Sequence, residues 1–438
     1  MYTSQTLKKN QTLHLRMNIA VVGGGIIGLS LAYELLKKGE QVTLIEKNNI
    51  GGLLEPVKIG NTELEKYYHH FFLSDKEVFE YIKELNLKDK LIKKNTPMGF
   101  YVDNKLYNFS SPLSLLQFSP LSFIDRIKLG LSIVYFQKCS SKGLDKLTVG
   151  QWMKKHNLMQ PYNVVWKPLL IAKFGKEHYN NIPCSWLWGR INQRSKSREF
   201  LKEKLCYLKG SYMTLIHSLE KSCKDKGLTI IKEEVTSLKE NKDQISVKTK
   251  TQHTFDKVIL TIPAPIIENI VPKNKQKEFS SNIEYKGVVC AIAVLKKSLS
   301  PYYWINVSDK RVKTSGIIEH TNFIEKEQYG KHLAYLFNYE DQSSTFLNSS
   351  DEKIRKQYKN DIKTVFPTYD QKNIEKIIVS KAKFATPLFD MDYQHKIPPT
   401  KTSIPNLFIC NMTQIYPEDR NVAHSIRVAK KALPIILN

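Results

Sequence analysis

Three glycines near the start of the chain have the spacing of a phosphate-binding loop. Gly23, Gly25 and Gly28 form the pattern G-x-G-x-x-G between an apolar run, which predicts a strand, and a helical pattern. The first glycine permits a tight turn, the second lets backbone approach a pyrophosphate, and the third lets the helix pack on the strand. At the start of that helix, the N–H groups of Ile26 and Ile27 would point at the phosphates. The pattern predicts that a dinucleotide binds here.

An acidic residue stands where the ribose of such a dinucleotide would need one. A second predicted strand, 41–45, leads into Glu46, which lies 18 residues after Gly28. An acid at about this distance accepts hydrogen bonds from an adenosine ribose. We therefore expect Glu46, and Lys47 beside it, to lie at the dinucleotide.

The segment after Glu46 distinguishes FAD from NAD. An acid followed by a glycine pair, here Gly51-Gly52 before Leu53, resembles the FAD-binding oxidoreductases of the glutathione-reductase structural class. In that class an arginine usually precedes the pair, whereas Ile50 stands here and the spacing is one residue shorter. The resemblance implies that the dinucleotide is FAD, with Gly52 and Leu53 near its flavin-side phosphate. The 19 glycines form no second G-x-G, so we expect no separate nicotinamide site.

Further stretches resemble one superfamily of flavoproteins. They are residues 65–72, 166–175, 316–322 and 411–420. Together they resemble protoporphyrinogen oxidase, the flavin amine oxidases, the carotenoid desaturases and UDP-galactopyranose mutase. The resemblance implies an FAD-dependent oxidoreductase that takes a hydride from an organic substrate, in envelope polysaccharide or isoprenoid metabolism. Two alternatives stay open: a mutase-like sugar isomerase without net redox, and an FAD-binding scaffold without catalysis.

The same resemblance implies how the chain is divided. We expect an α/β fold in which a Rossmann-like FAD-binding domain is interleaved with a mixed α+β substrate domain. The FAD-binding domain would comprise residues 17–97, 205–270 and 395–438. The substrate domain would comprise a helical part, 98–204, and a sheet part, 271–394, and an N-terminal extension would occupy 1–16.

Other FAD contacts implied by the resemblance lie at the ends of later strands. Val235 would contact the adenine through its backbone. Asn411 ends a buried strand where relatives often have an aspartate on the flavin ribityl chain or phosphate. A helix predicted to begin at Val422 would aim N–H groups at the flavin carbonyl, with Arg420 in the loop before it.

Two histidine-containing segments are candidates for catalysis. His69 and His70 follow two tyrosines, and in the mutase relatives a histidine in a comparable stretch packs beside the flavin ring. Either histidine could orient flavin or substrate; alternatively, the segment is a core-facing strand. Glu319 and His320 could supply acid–base and orienting groups, or form a solvated strand end. No ligand spacing among these residues predicts a metal site.

A series of arginines could recognise an anion. Arg190, Arg194 and Arg198 recur every four residues, which places them on one face of a helix predicted at 186–199. Guanidinium groups can hold a pyrophosphate or carboxylate through two hydrogen bonds at once. Such a clamp would select an anionic small molecule, such as a lipid-linked or nucleotide-linked sugar or a porphyrinogen. The alternative is a solvated basic face.

Composition limits the partners. The 438 residues include 67 Lys and Arg against 42 Asp and Glu, a net charge of +25. Such a charge can form an ordinary solvated surface or attract phosphate-bearing or lipid partners, and it does not distinguish the two. Because it is spread along the chain, we expect no nucleic acid partner. Six cysteines without a C-x-x-C pair predict free thiols in a reducing compartment.

Residues 123–136 mix apolar and basic side chains, as a helix in a membrane interface does. The alternative is a helix in the core of the substrate domain. No apolar run reaches the length that crosses a bilayer, and the first residues lack the apolar core of an export signal. We expect a cytoplasmic protein, with peripheral contact at the inner face of the membrane left open.

Overall fold

The computed structural model describes residues 16–199, 202–279 and 282–438, so the predicted extension lies, apart from Arg16, outside the described residues. The helices are α1 (Ile26–Lys37), α2 (Lys76–Glu84), α3 (Pro112–Leu116), α4 (Phe123–Lys138), α5 (Val149–Lys155), α6 (Met159–Pro161), α7 (Lys167–Phe174), α8 (Cys184–Ser195), α9 (Met213–Asp225), α10 (Ala264–Ile270), α11 (Gln276–Phe279), α12 (Asp351–Val365), α13 (Tyr393–Lys396) and α14 (Val422–Leu437). The strands are β1 (Asn18–Val22), β2 (Gln41–Ile45), β3 (Pro56–Ile59), β4 (Thr62–Glu65), β5 (Phe71–Phe72), β6 (Leu91–Asn95), β7 (Met98–Val102), β8 (Lys105–Asn108), β9 (Arg198–Glu199), β10 (Lys202–Leu208), β11 (Thr229–Ile231), β12 (Ser237–Asn241), β13 (Gln244–Lys248), β14 (Gln252–Phe255), β15 (Lys257–Leu260), β16 (Tyr285–Leu295), β17 (Trp304–Val307), β18 (Gly316–Glu319), β19 (His332–Glu340), β20 (Ile374–Pro387) and β21 (Leu407–Ile409).

A parallel sheet carries the glycine loop. Its five strands run in the order β11-β2-β1-β15-β21, and every neighbouring pair is parallel. Residues 19–22 of β1 are fully buried, as the continuous apolar run predicts for a strand covered on both faces. The connection from β1 to β2 is α1, which packs against α14. The α/β fold expected from the sequence is confirmed.

A second, seven-stranded sheet forms most of the other half of the molecule. Its order is β20-β16-β19-β18-β17-β7-β8, antiparallel except where β17 pairs with β7. Every residue of β16 is buried, because α12 packs on one side of the sheet and aromatic side chains fill the other. The segment expected to be helical, 98–204, begins with β7 and β8, and its helices α3 to α8 follow.

The two sheets are built from alternating parts of the chain. Strands of the parallel sheet come from both ends and the middle of the sequence, and the seven-stranded sheet is inserted between them. One apolar cluster reaches from Ile19 in β1 to Tyr335 in β19, so the sheets share a core. This interleaving agrees with the expected fold class, while the domain boundaries themselves stay predictions.

Candidate active site

The glycine loop joins β1 to α1 and leaves the start of α1 uncapped. Gly23 has a φ of +110°, and a Cβ on Gly28 would lie 1.9 Å from the carbonyl oxygen of Gly23, so both positions require glycine. Gly25 precedes α1 without a side-chain cap, and a Cβ built on it would meet no described atom within 4 Å. The N–H groups of Ile26 and Ile27 are therefore available to a phosphate in open space.

Glu46 lies directly beside this loop. Its Oε2 atom accepts a hydrogen bond from the N–H of Gly24 at 2.7 Å, and its Oε1 atom accepts one from Asn48 at 2.8 Å. These bonds hold the carboxylate at the carboxyl end of β2, where a contact to ribose requires it. The neighbouring Lys47 forms an exposed ion pair with Glu234 at 2.9 Å, so the protein itself engages its ammonium group.

The second glycine pair packs on the first loop. The N–H of Gly51 donates to the carbonyl of Gly24 at 2.9 Å, and a Cβ on Gly52 would lie 3.0 Å from the Cα of Gly25. Gly51 has a φ of +128°, which other residues rarely adopt. Leu53 packs against the apolar core. Despite the shortened spacing, the pair contacts the glycine loop.

Val235 and Asn411 follow β11 and β21, so they lie beyond the carboxyl ends of strands in the same parallel sheet as the loop. The Asn411 side chain is already engaged: its Nδ2 donates to the carbonyl of Ile262 at 2.9 Å, and its Oδ1 accepts from the N–H of Thr413 at 3.1 Å. Asn411 thereby joins the ends of β15 and β21. Its contact with the flavin stays a prediction.

The last helix begins at Val422, the residue predicted from the sequence. Asn421 caps it, because its Oδ1 accepts the N–H of His424 at 2.7 Å. The N–H groups of Val422 and Ala423 stay available to a flavin carbonyl. Just before the cap, the Nε atom of Arg420 is buried and has no hydrogen-bond partner among the described residues.

A cavity lies among the segment after β4, α7, α8, β17, β19 and the loop before α14. Its walls are largely aromatic, formed by Tyr67, Tyr68, Phe72, Trp186, Trp304, Phe337 and Tyr339. Its ionisable polar side chains are His69, His70, Lys173, Arg190, Arg194, Asp419 and Arg420. The structure thus brings together five residues proposed from the sequence, which are His69, His70, Arg190, Arg194 and Arg420.

Asp419 is the centre of the charged side of this cavity. It accepts hydrogen bonds from Lys173, from Arg190 at 2.8 Å and from the Nε1 atom of Trp186 at 2.9 Å. Burial alone would raise the pKa of Asp419, but Lys173 and Arg190 outweigh burial and hold this pKa well below its usual range. Asp419 is therefore ionised, and one carboxylate is shared by two cations.

Arg194 is partly buried, and its Nη1 atom lies 3.1 Å from both carboxylate oxygens of Glu203. Burial lowers the pKa of Arg194, but the guanidinium remains charged. The third arginine of the predicted series is separated from the first two. Because α8 ends at Ser195, Arg198 lies in β9, where it is exposed and outside the cavity. The predicted three-arginine face is wrong at this position.

His69 and His70 both line the cavity. The Nδ1 atom of His69 lies 2.7 Å from the carbonyl of Tyr67, which can only accept, so Nδ1 carries the proton and Nε2 keeps a lone pair. Burial, aided by Arg420, lowers the pKa of His69 to about 3. Burial likewise holds the pKa of His70 well below its usual value. Both rings are therefore neutral at physiological pH.

Glu319 and His320 lie away from the cavity, contrary to the expectation that they act on substrate. The Glu319 carboxylate accepts the N–H groups of Leu299 and Ser300, each at 3.0 Å, and so fixes the turn before β17. His320 pairs with the hydroxyl of Tyr329 at 2.9 Å. Both side chains are buried at the end of β18, so they are not a solvated strand end either.

Sequence reasoning did not identify Lys173 as a partner of Asp419, or Tyr67 and Tyr68 as cavity walls. Lys173 and Asp419 are 246 positions apart, and no spacing links them. The hydroxyl of Tyr68 bonds that of Tyr339 at 3.0 Å, across a similar distance in sequence. Only the stretches that carried the family resemblance contain a signal for these residues.

Comparison with known proteins assigns the chain to a family. The profile of the family described as flavin containing amine oxidoreductase matches residues 27–417, and the chain belongs to this family. It is an FAD-dependent oxidoreductase, and the uncapped start of α1, the open space at Gly25 and the position of Glu46 fit this cofactor. A search of curated proteins gave no match.

Several solved structures have the same fold. A provisionally assigned protoporphyrinogen oxidase from Exiguobacterium sp. 255-15 is 14% identical, with a TM-score of 0.76 over 96% of this chain and 98% of that one. Cyclohexylamine oxidase from Brevibacterium oxydans IH-35A is 11% identical, with a TM-score of 0.73 over 96% and 99%. A fatty acid isomerase from P. acnes, which produces CLA, is 13% identical, with a TM-score of 0.70 over 96% and 98%. These likenesses support the fold.

Proposed function

We propose that this enzyme oxidises an anionic organic substrate and does not act on protonated amines. The observation that carries the proposal is the charge of the cavity. Four cationic side chains line it, Lys173, Arg190, Arg194 and Arg420, against two carboxylates, those of Asp419 in the cavity wall and of Glu203, which pairs with Arg194. Since Asp419 is already shared by Lys173 and Arg190, it has no free charge for an ammonium group. A carboxylate, phosphate or diphosphate would complement the remaining positive charge.

The side chains in the cavity have distinct tasks in this proposal. Arg420 donates a hydrogen bond to the anionic group through its Nε atom, which is buried and has no hydrogen-bond partner among the described residues. Arg190 bonds Asp419 through Nη1 and donates to the anionic group through its other N–H groups. Neutral His69 accepts a hydrogen bond through Nε2 and so orients the part of the substrate that reacts. The aromatic walls exclude water from that part. When bound, FAD would supply the acceptor for the two electrons and proton of a hydride, and its reoxidation would require a separate acceptor such as oxygen or a quinone.

A mutase-like isomerisation of a nucleotide sugar is the second candidate. The same cations favour it, since a diphosphate carries the charge that they would bind. Envelope polysaccharide or isoprenoid precursors, including lipid-linked ones, belong to the substrate class of the first candidate, the oxidoreductase. The two candidates differ in whether electrons leave the protein.

The first experiment tests the substrate class on FAD-loaded protein without oxygen. Organic carboxylates, phosphates and lipid-linked diphosphates are added beside putrescine and cyclohexylamine, and the flavin absorbance is followed. We expect anions to bleach or shift the flavin spectrum and the amines to leave it unchanged. Bleaching by the amines alone would refute the proposal. Admitting air to reduced protein then separates an oxidase, which regains its yellow colour within seconds, from the other classes.

A matched pair of variants tests the role of the arginines. Arg190→Gln removes one charged donor from the cavity, and loss of one charged hydrogen bond should weaken anion binding about 10-fold or more. Arg198→Gln is the control, because Arg198 is exposed and outside the cavity. FAD content should be the same in both. Equal anion affinity in the two variants would show that the cavity charge does not select the substrate.

A further inference from the structure

One helix of the substrate half presents an apolar face to solvent. Exposed large apolar side chains on α4 are Phe123, Ile124, Ile127, Leu131, Val134 and Tyr135, with Ile124 65% and Leu131 64% exposed. At 100° per residue these six positions fall within one third of the helix circumference. Leu129 and Phe136, on the opposite face, are fully buried in the protein. The helix is therefore apolar on its outer face as well as its inner face.

The neighbouring helix extends this surface. Leu113 and Leu116 of α3 are 68% and 42% exposed. The guanidinium of Arg126 donates to the carbonyls of Leu116 at 2.6 Å and Leu121 at 2.8 Å, which fixes α3 against α4. We call these eight exposed residues the α3–α4 face. Among the described residues outside the α3–α4 face, large apolar side chains that are similarly exposed occur singly, as Ile435 does.

The surroundings of the α3–α4 face are basic. Residues 112–160 contain seven lysines and arginines and only two acids, Asp125 and Asp145. Lys138 is exposed on the last turn of α4, and Lys142 is exposed in the loop that follows. An apolar face bordered by lysines matches the interface of a membrane, which is apolar in its acyl-chain region and negatively charged at anionic head groups.

We propose that the α3–α4 face docks on membranes containing anionic lipids, with α4 lying in the plane of the interface. Among the described residues no helix has the length and apolar character to cross a bilayer. A second copy of the chain is a poorer occupant, because both copies would bring the same positive charge to the contact. This proposal does not depend on which substrate the enzyme oxidises.

The test is flotation of FAD-loaded protein with two kinds of vesicle, phosphatidylcholine alone and phosphatidylcholine mixed with phosphatidylglycerol. We expect binding to the anionic vesicles that decreases with salt. The double variant Ile124→Gln/Leu131→Gln should lower this binding at least 10-fold, whereas Ile435→Gln, on α14, should not change it. Lys138→Glu/Lys142→Glu should also lower it at least 10-fold, at about fivefold for each lysine lost near the surface. Lys310→Glu, an exposed lysine elsewhere, is its control.

Three outcomes would overturn the proposal. The first is absence of binding to both vesicle types, and the second is equal binding to both. The third is that Ile124→Gln/Leu131→Gln binds anionic vesicles as well as the wild type does. If the wild type is a dimer in solution and Ile124→Gln/Leu131→Gln is a monomer, the α3–α4 face is a contact between two copies of the chain. FAD content and near-ultraviolet circular dichroism of each variant show that loss of binding is not loss of fold.

Discussion

Replacing Gly25 with alanine separates the fold of the glycine loop from its binding of FAD. Gly25 has a φ of −69°, which alanine adopts readily, and its missing Cβ would meet no described atom within 4 Å. The apoprotein should therefore keep its stability, or gain about 0.4–1 kcal/mol because alanine restricts the unfolded chain. The added methyl group would occupy the space through which a phosphate approaches the N–H groups of α1.

The expected loss of FAD affinity follows from those N–H groups. A hydrogen bond to a charged group contributes about 1.5–3 kcal/mol. Moving the phosphate out of reach of one N–H should therefore weaken FAD binding about 10- to 150-fold, at about 1.4 kcal/mol per factor of ten. Gly28→Ala gives the opposite pattern, since its Cβ would lie 1.9 Å from the backbone oxygen of Gly23 and the fold itself would be damaged.

The assay is a titration of apoprotein with FAD, followed by quenching of flavin fluorescence, with the thermal midpoint of the apoprotein measured in parallel. Gly25→Ala should lose affinity with an unchanged midpoint, whereas Gly28→Ala should lose both. If Gly25→Ala binds FAD as tightly as the wild type, the phosphates do not lie at this loop. The assignment of Gly23, Gly25 and Gly28 to the cofactor would then fail.

Two substitutions test buried carboxyl groups. Asp419→Asn leaves Lys173 and Arg190 unpaired and should lower the free energy of unfolding by about 3 kcal/mol. This is the low end for breaking a buried ion pair, because both cations are partly exposed. Urea unfolding measures the free energy, and an unchanged value would contradict the prediction. Burial raises the pKa of Glu65 from 4.5 to about 7 despite a hydrogen bond from Tyr207. The native state thus holds this proton more tightly than the unfolded chain, so stability should rise as pH falls from 7 towards 4.5. Glu65→Gln should remove up to about 3 kcal/mol of that rise, and an identical pH profile in the variant would refute it.

Prediction from the sequence was most accurate where the functional residues and the elements that position them lie in one contiguous segment. The loop at Gly23–Gly28, its strand, its helix and Glu46 are consecutive, and their pattern determines their geometry. Arg198 was misplaced because helical spacing holds only while the helix continues, and α8 ends at Ser195.

The cavity could not be derived in this way, because its walls come from distant parts of the chain. Tyr68, Lys173, Trp304 and Asp419 meet only after the two sheets pack together. Glu319 shows the converse. An acid beside a histidine resembles a catalytic pair in the sequence, but here the Glu319 carboxylate accepts hydrogen bonds from backbone N–H groups. A strand's pattern does not reveal which buried polar residue faces a cavity and which supports a turn.

The order of strands in the parallel sheet has a consequence for synthesis on the ribosome. β1 and β2 emerge first, but β21, at Leu407–Ile409, and α14, which packs on α1, emerge almost last. Contacts between such distant segments form slowly, and meanwhile the edge of β15 that pairs with β21 has no partner. The parallel sheet of the nascent chain therefore remains incomplete until translation is nearly finished. A chain that stops before residue 407 would lack the edge strand beside β15 and would leave that buried apolar strand unpaired.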